Sequence, residues 1–143
     1  MAADIAAIRL ALRDNLITNV PSLPPLQEWE NRTFVPPSPE GDDWVREFNS
    51  VVAERLAGSN TTETVGNYRI LLVYPLGQGT EDIESVSTEI VAAFKPGLGL
   101  PVSPGCTVQI FRTERLAPST SAVQSWYTIT TVISWRVYSS LLG

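Results

Sequence analysis

Between Tyr68 and Tyr74 apolar side chains take both alternating sets of positions, with Tyr68, Ile70, Leu72 and Tyr74 in one and Leu71 and Val73 in the other. Such a run predicts a strand with cover on both faces. Pro75 has no N–H to give to a ladder, and Gly77 and Gly79 permit positive φ, so a tight turn follows. Thr80 then stands where a helix cap is needed, and Glu81, Asp82 and Glu84 fill a first turn in which the helix dipole favours negative charge. Ile83, Val86, Ile90, Val91 and Phe94 lie on one helical stripe, and Lys95, Pro96 and Gly97 end it as cation, breaker and flexible residue.

The remaining elements follow from the same two periods. Ala3 to Leu16 predicts a helix with Ile5, Ile8, Ala11, Leu12 and Leu16 on the side that packs on a sheet. From 19 to 43 the prolines at 21, 24, 25, 36, 37 and 39 exclude regular helix and predict an extended arm. That arm carries Leu26, Trp29, Phe34 and Val35, too apolar for a solvated linker, so it packs either on its own domain or on a neighbouring subunit. Trp44 to Leu56 is divided. Trp44, Phe48, Val51, Val52, Arg55 and Leu56 follow helical spacing, whereas the Trp, Phe and Val content and the Gly58 to Thr62 loop favour a strand, and periodicity alone leans to helix. After a proline-containing loop over 97–105, Thr107 to Arg112 alternates as a short strand. Ser125 to Tyr138 puts Tyr127, Ile129, Ile133, Trp135 and Val137 on one face against Thr128, Thr130, Ser134 and Arg136, a half-buried antiparallel strand.

Composition narrows the chemistry. At 143 residues the chain fits a single domain, 1–143, long enough to bury a core. A net charge of −5 argues against binding nucleic acid through counterion release, although DNA could still slide past. Histidine is absent, which removes the commonest general base and the usual zinc ligand. The lone Cys106 forms no internal disulfide and is expected to be a small buried residue opening a strand. No stretch approaches the ~18 to 20 apolar residues of a membrane helix, and Asp4, Arg9, Arg13 and Asp14 break the pattern of a signal peptide. The Gly77-Gln78-Gly79 turn before a helix invites a phosphate loop, but no Gly-Lys-Ser/Thr follows and the acids after the turn would repel a phosphate. No catalytic constellation, metal set or nucleic-acid patch emerges.

Three passages together resemble the tail terminator-like proteins of long-tailed bacteriophages. They are Glu28-Trp29-Glu30-Asn31-Arg32-Thr33-Phe34-Val35-Pro36-Pro37, then Trp44-Val45-Arg46-Glu47 after a Gly-Asp-Asp loop, then Gly66-Asn67-Tyr68-Arg69 running through Val73-Tyr74-Pro75 to Gly77-Gln78-Gly79. A long threonine-rich C-terminal strand completes the likeness. The resemblance implies an α+β fold in the order helix, strand, strand, helix, strand, strand, with an antiparallel sheet packed against two helices. It also decides Trp44 to Leu56 as extended, because the Trp-Val-Arg-Glu position begins a strand in that family. The Pro-rich arm departs from the family pattern.

By the same resemblance the chain is a structural virion protein with no enzymatic activity, cofactor or metal. It would form a homo-oligomeric ring, a hexamer, that caps the tail tube, stops its polymerisation and offers a surface for head attachment. The implied partners are the major tail tube protein and a head-tail connector or neck protein, with viral DNA passing through without specific binding and no membrane involved. The implied places are the tail-head junction of the virion and, during assembly, the host cytoplasm. Trp29, Phe34, Trp44 and Arg46 are the candidate subunit or partner contacts, and Glu81, Asp82 and Glu84 the candidate lumen charges. Two alternatives stand beside this. One is another neck or tail ring, such as a stopper or tube protein, and the other is a carboxylate-based enzyme or small-ligand binder using Asp42, Asp43, Glu81, Asp82 and Glu84.

Overall fold

Asp4 starts the first helix, α1 (Ile5–Asn19), by accepting from the backbone N–H groups of Ala6 at 3.0 Å and Ala7 at 3.2 Å. Two donors that would otherwise lack partners are thereby satisfied. Ile8, Leu12 and Leu16 are buried, the stripe that the spacing predicts. The structure is a computed structural model and describes residues 4–24, 26–28, 43–58, 60–75, 81–102, 106–121 and 126–140. The Gly77 to Gly79 turn, the Thr80 cap, Asp42 and the stretch of arm with Trp29 and Phe34 lie outside the described residues.

After α1 come β1 (Leu26–Glu28), β2 (Trp44–Leu56), β3 (Thr61–Pro75), α2 (Glu81–Ala93), β4 (Gly99–Val102), β5 (Cys106–Arg115), β6 (Ser119–Ser121) and β7 (Trp126–Ser140). All the strands join one seven-stranded sheet in the order β1-β2-β3-β7-β5-β4, with β6 on β7. The chain is α+β, and the four expected strands are β2, β3, β5 and β7. Three short strands correct the expected order: β1 inside the arm, β4 inside the loop over 97–105, and β6. Three or four residues are too few to show a period, so only pairing reveals them. β1 also runs parallel to β2, so the sheet is not purely antiparallel. The start of the arm packs on its own chain, where Val20 and Pro24 are buried.

Trp44–Leu56 is a strand, against its helical spacing. The spacing misleads because Phe48, Val51, Val52 and Leu56 do not share a buried face: they are 42%, 39%, 61% and 69% exposed. A bulge between Val51 and Ala53 shifts the register and re-aims the strand beyond it.

Both helices lie on one face of the sheet. There Tyr68, Ile70, Leu72, Ile129, Ile133 and Trp135 meet Ile8, Leu12, Leu16, Ile83, Ile90 and Phe94 in a single core. The Asn15 amide joins the helices by donating to the Ala93 carbonyl at 3.0 Å. The opposite set of β3 departs from the expected cover on both faces. Val73 is buried near the Pro75 end, but Leu71 is only half-buried and Arg69 is exposed. Cys106 opens β5 as expected and is half-buried.

Two features fix how the layers meet. Gly66 pairs with Trp135, whose ring covers it, and the indole N–H donates to Asn49 at 2.9 Å. Glu47, 1% exposed, accepts from the guanidinium of Arg13 on α1 and from the hydroxyl of Tyr68 on β3. Burial pulls the Arg13 pKa down, but the hydrogen bond and charge of Glu47 outweigh it and leave the guanidinium above its ordinary value.

At the far end of the β2–β3 hairpin the Tyr138 hydroxyl and then the Arg55 guanidinium hold the Glu63 carboxyl below the usual carboxylate range. A depressed pKa contributes stability above the unfolded value of about 4.3, and that contribution fades as pH falls through the lower folded value. The protection factors of the Thr62 to Thr64 amides should therefore fall below about pH 4 more in the wild type than in Tyr138→Phe. An equal fall in both would remove Tyr138 from the pair.

Candidate functional site

The Trp-Val-Arg-Glu and Gly-Asn-Tyr-Arg passages lie on neighbouring strands, in register through Phe48 opposite Arg69 and Val51 opposite Gly66. Alternation splits each passage. Val45, Glu47, Gly66 and Tyr68 turn to the helices and build the core and its buried network, while Trp44, Arg46, Asn67 and Arg69 share the open face with Val73, Thr130 and Ser134. Half of what looked like motif chemistry is therefore packing.

On the open face Trp44, 5% exposed, meets Trp126 edge-on at 6.3 Å, with Val73 beneath them. The Arg46 guanidinium lies 5.0 Å from the centre of the Trp44 ring and 5.7 Å from that of Phe48. A second cation on aromatics repeats this across the sheet, where Arg136 sits 5.5 Å from Phe111 and 5.9 Å from Tyr138. Such pairs hold a guanidinium over a ring, and Arg136 also donates through Nε to Gln109 at 3.3 Å. Between them a shallow groove of 340 Å³ is lined by Phe48, Arg69, Leu71 and Thr130.

Glu81, Asp82 and Glu84 occupy the first turn of α2 and are exposed, on the other side of the sheet. Asp82 borders a second groove, of 260 Å³, with Ser22, Asp43, Tyr74, Ser85 and Val86. Burial, and then the charge of Asp43, push the Tyr74 hydroxyl above its ordinary pKa. Among the described residues two carboxylates and no cation line this groove, an arrangement that disfavours a phosphate.

The structure thus places Trp44 and Arg46 side by side on the open face and Glu81, Asp82 and Glu84 together on α2, with the sheet between the two groups. Phe111, Arg136, Tyr138 and Arg69 are not among the contact candidates that the sequence offers, although Arg136 falls on the polar side of the last strand and Arg69 in the Gly-Asn-Tyr-Arg passage. Arg69 did leave a signal, since one cation in an otherwise apolar strand marks the face that core does not cover.

Over residues 7–135 the chain matches the model of a family described as phage tail terminator protein. The chain belongs to the phage tail terminator family. The match begins inside α1 and ends at Trp135, so it takes in the Glu47 network and the Trp135 ring over Gly66. Membership of the tail terminator family makes the chain a structural component of a phage tail. Among solved structures, one is 24% identical with a TM-score of 0.67, the likeness covering 92% of this chain and 91% of that one. Another, from the virion of a native gene transfer agent particle, is 16% identical with a TM-score of 0.65, covering 97% of this chain and 100% of that one. Both share the fold. No curated protein matches the chain.

Proposed function

We propose that this chain is the subunit of a ring, six-membered by family resemblance, that sits on the finished tail tube, stops its polymerisation and presents a surface to the head. The observation that carries the reading is the amount of apolar surface left outside the core. Phe48, Val52, Leu56, Phe111 and Tyr138 stand 42%, 61%, 69%, 42% and 41% exposed in a chain of the tail terminator family. Large exposed apolar residues gathered on one sheet and its hairpin are what a subunit keeps for its neighbours. Arg46 and the Trp44 ring beneath it belong to the contact surface on this reading, and Trp29 and Phe34 of the arm are proposed as further subunit or partner contacts. The work is done by interfaces, without enzymatic chemistry. That a relative of the fold is part of a gene transfer agent virion supports a place in the particle.

Tail assembly tests the reading. Lysates lacking the protein should contain tubes of irregular, excess length, and purified protein added back should give tubes of one length with a ring of density at the end that joins the head. Tubes of normal length without the protein, or a protein found as single subunits on finished tails, would sink it.

A further inference from the structure

We propose that the open face of the sheet is the seat for the acidic face of α2 from a second copy of this chain. The inference rests on the ring reading above and names the two surfaces that would close it. Among the described residues, register places Arg46, Arg55, Arg69, Arg112 and Arg136 on the open face, against Glu28, Glu63 and Glu114. A chain whose net charge is −5 therefore has one positive side. The compensating negative charge is concentrated on α2, which carries Glu81, Asp82, Glu84 and Glu89 and no basic residue.

This segregation selects the mode of contact. Two open faces brought together would set arginine against arginine, so a two-fold contact is opposed by charge. Open face against α2 joins opposite signs, and because the two surfaces differ and lie on opposite sides of the sheet, the contact is head-to-tail. Shape agrees with charge. Beyond its acidic turn α2 exposes Ser85, Thr88 and Ala92, small side chains that let a helix lie close on a flat surface, and the groove of Phe48, Leu71, Thr130 and Arg69 runs through the middle of the sheet face. Arg46 and Arg136 are held by their aromatic rings, so less freedom is lost when they meet carboxylates. Glu81, Asp82 and Glu84 become subunit contacts in place of lumen charges.

The test uses two full-length variants, Arg69→Glu and the double substitution Glu81→Arg with Glu84→Arg, all at exposed positions. Ring formation is followed by light scattering and by electron microscopy on tail tubes, with thermal unfolding as the control for folding. Each variant alone should assemble about ten-fold or more weakly than the wild type. An equimolar mixture should regain assembly as alternating rings, because each variant supplies the surface the other needs. Wild-type rings should also loosen as salt is raised. Variants that assemble normally alone, or a mixture that does not recover, would overturn the proposal while leaving the ring intact. Normal assembly of Arg69→Glu with weakened retention of DNA would instead give the open face to nucleic acid. A wild type that forms no ring even on tail tubes would overturn both readings.

Discussion

Replacing Gly66 by alanine should lower the unfolding free energy by about 3 kcal/mol, at the upper end of what overpacking a core costs. A Cβ at this position would come within 2.6 Å of the Ser50 carbonyl oxygen and of Cε2 of Trp135, and closer still to Cζ2 of the same ring. Neither neighbour has room to yield. The carbonyl belongs to the β2 backbone, and the indole is fully buried with its N–H committed to Asn49. An alanine usually gains a few tenths of a kcal/mol over glycine by restricting the unfolded chain, which is too little to offset such a clash. Denaturant titration checks this, and pairing the change with Trp135→Leu should recover part of the loss because the smaller side chain vacates the space. A Gly66→Ala variant as stable as the wild type would mean that the ring does not lie over the glycine.

Arg13→Ala should cost about 3 to 5 kcal/mol at neutral pH, the range seen when one partner of a buried ion pair is removed. The side chain of Glu47 is 0% exposed and that of Arg13 14% exposed, so the two partners are not equivalent. Without Arg13 the carboxylate keeps, among the described residues, the Tyr68 hydroxyl, and its side chain is closed to solvent. Without the Glu47 charge, the guanidinium can still turn its edge to solvent. Glu47→Gln should therefore be the milder change, and Arg13→Met with Glu47→Gln should recover much of the loss, since apolar replacement of buried pairs is often neutral. Stabilities that ranked the other way, with Glu47→Gln the worse, would show that the pair is held by Arg13 burial and not by the enclosed carboxylate.

These two sites also show what a sequence pattern carries. Gly66 and Glu47 were visible as parts of short passages resembling phage tail terminators, and their physical roles were not. A glycine in a strand reads as a possible bulge or close approach, but the approaching group, Trp135, is far away in the chain and its register depends on both hairpin and C-terminal strand. Glu47 reads as a solvated charge until Arg13 and Tyr68 are brought to it from two other elements. The candidate site divides in the same manner. Trp44 and Arg46 stand out as adjacent aromatic and cation, and the acids of α2 as a cluster at one helix start. Phe111, Arg136 and Tyr138 meet only because β5 pairs with β7 through a shift between Ile110 and Arg112.

Local spacing determined α1, α2, β3, β5 and β7 as elements, because a stripe of period 3.6 or 2 is written in neighbouring residues and needs no partner to be read. The absence of histidine removed the commonest general base and the usual zinc ligand, since such groups must be present before any fold can gather them. Spacing alone left Trp44–Leu56 leaning to helix, the family resemblance made it extended, and the tertiary structure bears this out as a strand. Beyond Val45 its apolar residues follow a helical interval but are exposed, and pairing with fifteen-residue β3 holds it extended. Tertiary structure likewise decided that, among the described residues, β3 is covered fully on one side only, and that arginine outnumbers carboxylate on the open face while α2, on the other side, carries carboxylates and no basic residue. Charge sorting is a property of register, which a one-residue slip would reverse, and register is set by strands that meet across more than fifty residues of chain.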